Sequence, residues 1–404
     1  MKGDATFRFL HCADLHLDSQ FQGLMRRDPA WGDEMREATF VAMERMVDLA
    51  VEEGADFIVV AGDVFDNESR SVRAQFRFRD AMARAGDHGI PVFIACGNHD
   101  PLDEWPSSVS LPGNVLRFGP EPETHPVMKD GRKAADVCGV SYATRETAED
   151  LSLLMGPKGE AFDIAVLHCN IGASGHGEYA QTSLANLVSR GFHYWALGHV
   201  HARQLLNERP HVAYAGNSQG RHVNETGEKG CYLVTVDGGE VSSMEFRPLA
   251  PFSWERLTVD IGGTETLDLL DPAETPSHHG KTISVVEFVG RGHLDTDLRK
   301  EGVASDVAEE ICRRRGSRLA RFKVSSRPPV DLERRRGGED LLATVLRHAE
   351  GCGSAPESVR SFLEEAEGAG RFSEWIRNIS DLEVAQLSED AAIELFERLL
   401  GGDE

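Results

Sequence analysis

The sequence predicts an α/β fold: a layered β-sandwich domain flanked by helices over residues 1–250, then a small α+β domain over 251–336 and an acidic helical C-terminal region over 337–404. Three observations predict it. Short apolar runs alternate with helix-period segments through the first 250 residues. The texture changes after Pro251. From Glu339 to Glu404 the chain turns acidic, with 16 Asp/Glu against 5 Lys/Arg. A length of 404 residues suits two or three domains.

The apolar runs Phe7–Ala13, Asp56–Ala61, Pro91–Cys96, Asp163–Leu167 and Tyr194–Leu197 read as strands. Between the first two, Phe40, Met43, Val47, Ala50 and Val51 recur at helical spacing within Glu37–Glu53, and Gly54 closes that helix. Cys231–Val236 is a further strand near the end of the domain. In the second segment Phe252–Ile261 and Ile283–Val289 read as strands separated by the loop Pro272–Gly280, with a helix over Val307–Arg315 and a strand over Arg321–Ser325. In the tail, Leu341, Leu342, Val345 and Leu346 form one amphipathic face and Ala392, Ile393, Phe396 and Leu400 another.

Composition removes several classes of function. Hydrophobic content of 40% and charged content of 27% are those of a globular protein, and no run of eighteen apolar residues is present, so no membrane span is expected. Met1–Asp4 leads straight into an apolar strand without a signal-peptide core. Seven cysteines without a CxxC pair argue against a disulfide framework, and Cys12, Cys96 and Cys169 read as buried thiols, which places the chain in a reducing cytoplasm. A net charge of −24 excludes a polycation that coats nucleic acid. It leaves room for a nuclease, because divalent metals and a local basic patch can supply the positive field.

Five of the apolar runs end in metal-ligand residue types: Asp14-Leu-His16, Gly62-Asp63, Gly97-Asn98-His99-Asp100, His168, and Gly198-His199-Val-His201. In α/β folds the functional crevice lies at the carboxyl ends of the strands. Asp14/His16 and His199/His201 are each two residues apart, so extended backbone would point both members of a pair to one side. Gly62, Gly97 and Gly198 permit a tight departure from the strand. Two divalent cations bring four positive charges of which Asp14 and Asp63 return two, so the centre stays net positive and suits an anionic phosphoester. Mixed N/O ligation without thiolate favours Mn, Fe or Zn over Ca or an iron–sulfur cluster. Two such ions, about 3.5–4 Å apart, stabilise both oxygens of an in-line displacement.

The succession D-x-H, GD, GNHD, H, GHxH resembles the calcineurin-like metallophosphoesterase superfamily. Phe65-Asp66 after the GD element, Tyr194–His201, and Ala215-Gly-Asn-Ser-Gln-Gly-Arg-His222 are similar to SbcD-type DNA-repair exonucleases, within them to the YhaO-like branch. Val289–Leu294 followed by Asp297-Leu-Arg299 resembles the start of their small capping domain. The resemblance implies that Asp14, His16, Asp63 and His201 hold one metal, and that Asp63, as the bridge, holds the other with Asn98, His168 and His199. It implies a catalytic role for His99, protonating the leaving oxygen or steadying the transition state. The expected cofactors are two divalent ions, manganese foremost, with iron or zinc as the other choices. The expected partners are DNA, an SMC-like ATPase subunit and a second copy of the chain, with no membrane.

The expected function is a two-metal phosphodiesterase acting as a DNA-repair exonuclease or endonuclease with that ATPase. Two alternatives stay open: a phosphodiesterase or phosphatase for nucleotides or other small phosphoesters, and a non-cutting, metal-stabilised scaffold for a DNA-end ATPase. His11, His176, His193 and His222 read as core or loop residues, and Asp66 and Asp100 as support for a ligand histidine or a loop. Segment 313–336 holds ten Lys/Arg against Asp331 and Glu333. It is either a DNA-backbone contact or a solvated face pairing with the protein's own carboxylates.

Overall fold

The computed structural model describes residues 6–21, 29–66, 71–106, 108–147, 149–172, 180–272 and 281–329, and beyond these 338, 343–345, 347–348, 351, 354–365, 379–385, 387–388 and 391. His176, Leu341, Leu342, Leu346, Ala392, Ile393, Phe396, Leu400, Arg334–Arg336 and most of the 272–280 loop lie outside the described residues. Two compact units are present, one of residues 1–290 with 296–326, the other of 291–295 with 327–404.

The first unit is built on two six-stranded sheets. One contains β1 (Phe7–Cys12), β2 (Phe57–Ala61), β3 (Val92–Ala95), β4 (Val115–Arg117), β13 (Gly230–Asp237) and β14 (Glu240–Pro248), in the order β14-β13-β1-β2-β3-β4. The other contains β5 (Glu123–Lys129), β6 (Arg132–Gly139), β7 (Phe162–His168), β10 (Tyr194–Gly198), β11 (Gln204–Glu208) and β12 (His211–Tyr214), in the order β11-β12-β10-β7-β6-β5. A two-strand ladder of β8 (Asn170–Ile171) and β9 (Gln181–Thr182) lies beside them. The central strands β1, β2, β3 and β4 run parallel, as do β6, β7, β10 and β12. The antiparallel strands β13, β14, β5 and β11 sit at the margins.

Strand alternation divides the apolar residues among three layers. Phe7, Phe9, Phe57, Val59 and Phe93 point between the sheets and meet Val137, Ile164, Val166 and Tyr194. There Phe9 and Phe57 stack with ring centroids 5.0 Å apart, and Tyr194 stands edge-on to Phe9. The opposite face of the first sheet, Leu10, Ile58, Val60 and Ile94, packs on helix α1 (Pro29–Glu52) through Phe40, Met43, Met46 and Val47, and on helix α2 (Val72–Asp87) through Phe78 and Met82. The helical periodicity read between Glu37 and Glu53 is this face, and the helix starts earlier, at Pro29. The outer face of the second sheet, with Leu167, Trp195 and Leu197, is covered by Leu151, Leu187 and Phe192.

The remainder of the first unit is a parallel sheet of β15 (Phe252–Asp260), β16 (Lys281–Val289) and β17 (Arg318–Val324), with the helix Val303–Arg315 preceding its last strand. In the second unit the helix Pro356–Glu365 is described, with Arg360 Nη2 reaching the carbonyl of Ile379 at 2.8 Å. Among the described residues no helix is long and apolar enough to cross a membrane. The six described cysteines are free and buried, so burial rather than pairing accounts for them.

Candidate metal centre

The chain leaving β1 runs beside the chain leaving β2. Asp14 N donates to Gly62 O at 3.0 Å, and His16 N to Asp63 O at 2.9 Å. This parallel exit delivers Asp14, His16 and Asp63 to one place. Its backbone is not extended: φ is 50° at Asp14, 42° at His16, 49° at Asp63 and 97° at His199. The expectation that residues two apart converge through extended backbone is therefore corrected. Left-handed bends after the strand ends bring them together. Each such bend costs on the order of 1–3 kcal/mol for a non-glycine residue, and strain of this kind concentrates at functional sites.

The glycines make room. A Cβ at Gly97 would lie 2.2 Å from Asp63 Oδ1 and 2.9 Å from His168 Nε2, and one at Gly62 would lie 2.2 Å from His168 Nδ1. Only Gly62 of these two has a positive φ, at 92°. Close approach explains Gly97, and both reasons apply at Gly62.

All seven ligand candidates and His99 are brought to this end of the sandwich. Ligand atoms of Asp14, His16 and His201 lie within 4.8 Å of one another, as do those of Asp14, Asp63 and His168. His16 Nε2 and His168 Nε2 are 3.6 and 3.5 Å from Asp63 Oδ2. Asn98 Oδ1 is 3.0 Å from His168 Nε2 and 3.3 Å from His199 Nδ1. Asp14, His16 and His168 are fully buried, while His99, His199 and His201 are half-buried. The centre thus opens to solvent past His99, His199 and His201.

The hydrogen bonds fix where protons sit. His168 Nδ1 lies 3.0 Å from the carbonyl oxygen of Ala61, which can only accept, so the Nε2 lone pair faces Asn98 and Asp63. His201 Nδ1 donates to Glu225 Oε1 at 2.8 Å, which leaves its Nε2 lone pair 3.1 Å from His16 Nε2. The Nε2 lone pairs of His168 and His201 therefore both face the middle of the cluster. Burial pushes Asp14 above the usual carboxylate range, against the pull of His168 and His201. Burial, then repulsion from the Arg221 guanidinium, hold His16 well below the ordinary imidazole value. Burial and His168 take His199 down to about 3. Imidazole nitrogens, the Asn98 amide oxygen and carboxylate oxygens converge here into a donor set that a cation would complete.

On the open side, His99 Nδ1 donates to Asp66 Oδ1 at 3.1 Å, and His99 N donates to Asp63 Oδ1 at 2.9 Å. Burial opposes the charged form of His99, but the bond to Asp66 and the charges of Asp63 and Asp66 carry it above the ordinary imidazole value. Burial likewise opposes the charged form of Asp66. The bond to His99, the charge of Arg221 and the Ser19 hydroxyl outweigh it, so Asp66 lies well below the usual range. Asp100 accepts from Gly97 N at 2.9 Å and Val64 N at 2.7 Å, tying the β3 exit to the β2 exit.

Residues 7–203 match the family of calcineurin-like phosphoesterases. The chain carries a calcineurin-like phosphoesterase domain. It is 40% identical over 267 residues, 65% of each chain, to the uncharacterized metallophosphoesterase YhaO of Bacillus subtilis. It is 25% identical over 251 residues, 59% of this chain, to the DNA double-strand break repair protein Mre11 of Thermoplasma acidophilum, of which it covers 64%. It is 24% identical over 279 residues to a component of the nuclease SbcCD of Escherichia coli, covering 59% of this chain and 67% of that protein. The chain spans just under two thirds of the length of the YhaO and Mre11 relatives. Calcineurin-like phosphoesterases bind a dinuclear metal site, and the donor set of this phosphoesterase domain fits one.

Sequence reasoning gave no specific role to Ser19, Arg221 or Glu225. Arg221 stands inside the Ala215–His222 stretch and Glu225 three residues beyond it, and no spacing links either to His99 or His201. His11 is a core residue, with Nε2 donating to the carbonyl of Leu197 at 3.1 Å and Nδ1 accepting from the Tyr194 hydroxyl at 3.0 Å. His193 immediately precedes β10, at the opposite end of that strand from His199, and His222 is exposed.

Proposed function

We propose that this chain hydrolyses phosphodiester bonds in DNA as a two-metal, manganese-supported nuclease acting in repair beside an SMC-like ATPase. The observation that carries the phosphodiester reading is the convergence of carboxylate, imidazole and amide ligand atoms at the strand ends, with His99 beside them bonded through Nδ1 to Asp66. DNA as substrate is supported by relatives whose names read DNA double-strand break repair and nuclease SbcCD, and the ATPase is what the resemblance to SbcD-type nucleases implies. Division into a nuclease domain over 1–250, a capping domain over 251–336 and a C-terminal region over 337–404, cytoplasmic location and dimerisation belong to the same proposal.

In this reading Asp14, His16, Asp63 and His201 hold one ion, and Asp63, Asn98, His168 and His199 the other. When bound, two divalent ions supply Lewis-acid stabilisation to the phosphoryl oxygens of an in-line displacement. His99 presents Nε2 to the departing oxygen while Asp66 keeps Nδ1 protonated and the ring fixed. Ala61 and Glu225 keep the lone pairs of His168 and His201 turned inward.

One observation favours the small-phosphoester alternative. At least four of the ten cations of the basic segment are engaged by the protein itself: Arg313 with Glu310 at 2.7 Å, Arg318 with Glu34 at 2.9 Å, Lys323 with Glu287 at 3.1 Å, and Arg314 with the carbonyl of Leu270 at 2.7 Å. The reading of this segment as a solvated, self-paired face gains from these contacts. Manganese-dependent degradation of end-labelled linear DNA by the purified protein, beside His99→Ala, tests the proposal. Loss of label with the unaltered chain alone supports a nuclease. Turnover of a small phosphodiester with intact DNA supports the alternative, and neither activity with two bound ions supports the non-cutting scaffold.

A further inference from the structure

Asp66 poses a problem that the ligand set does not solve. Its carboxylate lies with His16 and His99 in a third cluster whose ligand atoms are all within 4.8 Å of one another. A carboxylate so placed beside a dinuclear centre is drawn toward the metals, yet His99 needs it as a fixed acceptor. The two oxygens are treated differently. Oδ1 takes the His99 Nδ1 proton at 3.1 Å. Oδ2 takes Arg221 Nη1 at 2.8 Å and lies 2.8 Å from Ser19 Oγ, which Arg221 Nη1 also contacts at 3.0 Å. The guanidinium occupies the approach to Oδ2 with a permanent positive charge.

Arg221 is itself rigidly placed. Its N–H donates to Glu225 Oε2 at 2.7 Å, and the other oxygen of Glu225 holds His201. Gly220 before it packs so closely that a Cβ would lie 2.9 Å from Trp254 Cδ1, while Trp254 Nε1 donates to Gly220 O at 3.0 Å. Gln219 Nε2 donates to Phe252 O at 3.0 Å. The loop is thereby seated on β15, which fixes the backbone from which Arg221 Nη1 reaches Asp66 and Ser19.

We propose that Arg221 is a positioning residue that withholds Asp66 from the metals and commits it to His99. This rests on the two-metal reading above and names the device that separates the ligand carboxylates, Asp14 and Asp63, from the one reserved for proton handling.

The test is the manganese content of the purified full chain after equilibration with manganese alone, read by elemental mass spectrometry, with kcat and KM measured on two phosphodiesters. One is bis(4-nitrophenyl) phosphate, whose leaving group needs no proton; the other is a dinucleotide, whose leaving group does. Arg221→Met is expected to bind more manganese per chain than the unaltered protein. Its kcat on the dinucleotide should fall about 10- to 100-fold, with a smaller loss on the nitrophenyl ester and KM little changed. Adding Asp66→Asn to Arg221→Met should restore the original manganese ratio. Arg221→Gln, neutral yet still able to donate to Asp66, carries the test if the methionine variant does not fold. Unaltered manganese content and an unaltered ratio of the two substrates in these variants overturn the proposal while leaving the two-metal reading intact. An unaltered protein that takes up no manganese, or cleaves neither ester, overturns both.

Discussion

Glu225 accepts the Nδ1 proton of His201 at 2.8 Å through one oxygen, and takes two donors, Arg221 N and Asn217 Nδ2, each at 2.7 Å, through the other. A glutamine there cannot serve both sides. If its amide oxygen faces the two donors, its NH2 faces His201, and the histidine proton moves to the ligand nitrogen. Glu225→Gln is therefore expected to weaken metal affinity about 10- to 100-fold. Manganese titration by calorimetry checks this, and an unchanged isotherm would contradict the tautomer argument.

His99→Ala should lower kcat by about 10²–10⁴ while metal content stays normal. The pH profile carries the sign. In the proposed mechanism the proton donor is His99 in its charged form, whose pKa the Asp66 bond and nearby carboxylates raise, so activity should persist below that pKa and be lost as pH rises through it. Asp66→Asn removes the bond and one negative charge, and the alkaline limb should move to lower pH. A limb that stays in place assigns that titration to another group.

Gly97→Ala tests the space beside Asp63. Because the added methyl would stand 2.2 Å from Asp63 Oδ1, the carboxylate must turn or the strand exit must move. Destabilisation of about 1–3 kcal/mol, together with loss of bound manganese, is expected. A variant that keeps both stability and metal refutes close packing here.

Removing metal should cost stability as well as activity. An ion at about a hundred times its Kd adds about 2.7 kcal/mol to the folded state, and chelation should lower Tm by several degrees in proportion. Identical melting curves with and without chelator mean that the acceptor cluster is content without a cation.

His11 gives a pH dependence away from the centre. Burial, against its bond to Leu197, takes its pKa down to about 3 from 6.5. Between those values the unfolded chain binds the proton and the folded one does not, so stability rises with pH across that window and is lost as pH falls through it. The slope is up to about 1.4 kcal/mol per pH unit for one proton. Urea unfolding of His11→Gln at several pH values should show a shallower slope; parallel slopes would exclude His11 as the source.

Much of the centre was legible because its residues follow strands whose apolar runs are continuous, as in buried parallel strands: Ile58–Ala61 before Asp63, Val92–Ala95 before Asn98. The marginal strands were less visible. β5 and β6 form a hairpin at Asp130-Gly131, yet β5 reads Glu-Thr-His-Pro-Val-Met-Lys, too polar for an apolar run to mark. β14, with five of its nine residues half-buried and the others exposed, escaped for the same reason. Left-handed geometry at Asp14, His16, Asp63 and His199 could not be read from residue type, since tertiary contacts impose it. Arg221 and Glu225 were invisible as functional groups because their partners Asp66 and His201 are distant in sequence and meet them only when the strand ends converge.

The seat of the 217–227 loop on Phe252 and Trp254 bears on inheritance and on engineering. Every candidate ligand and His99 lie before residue 250, so a gene cut there would encode the full set of proposed metal donors. Its product would lack the strand against which Arg221 and Glu225 are aligned, and would retain the ions' addresses without the alignment of His99 and His201. Exchange of modules between related proteins can thus leave β15 on the donor side of the junction only by replacing the loop along with it, and the smallest heritable piece with intact chemistry runs past the last ligand into the next sheet.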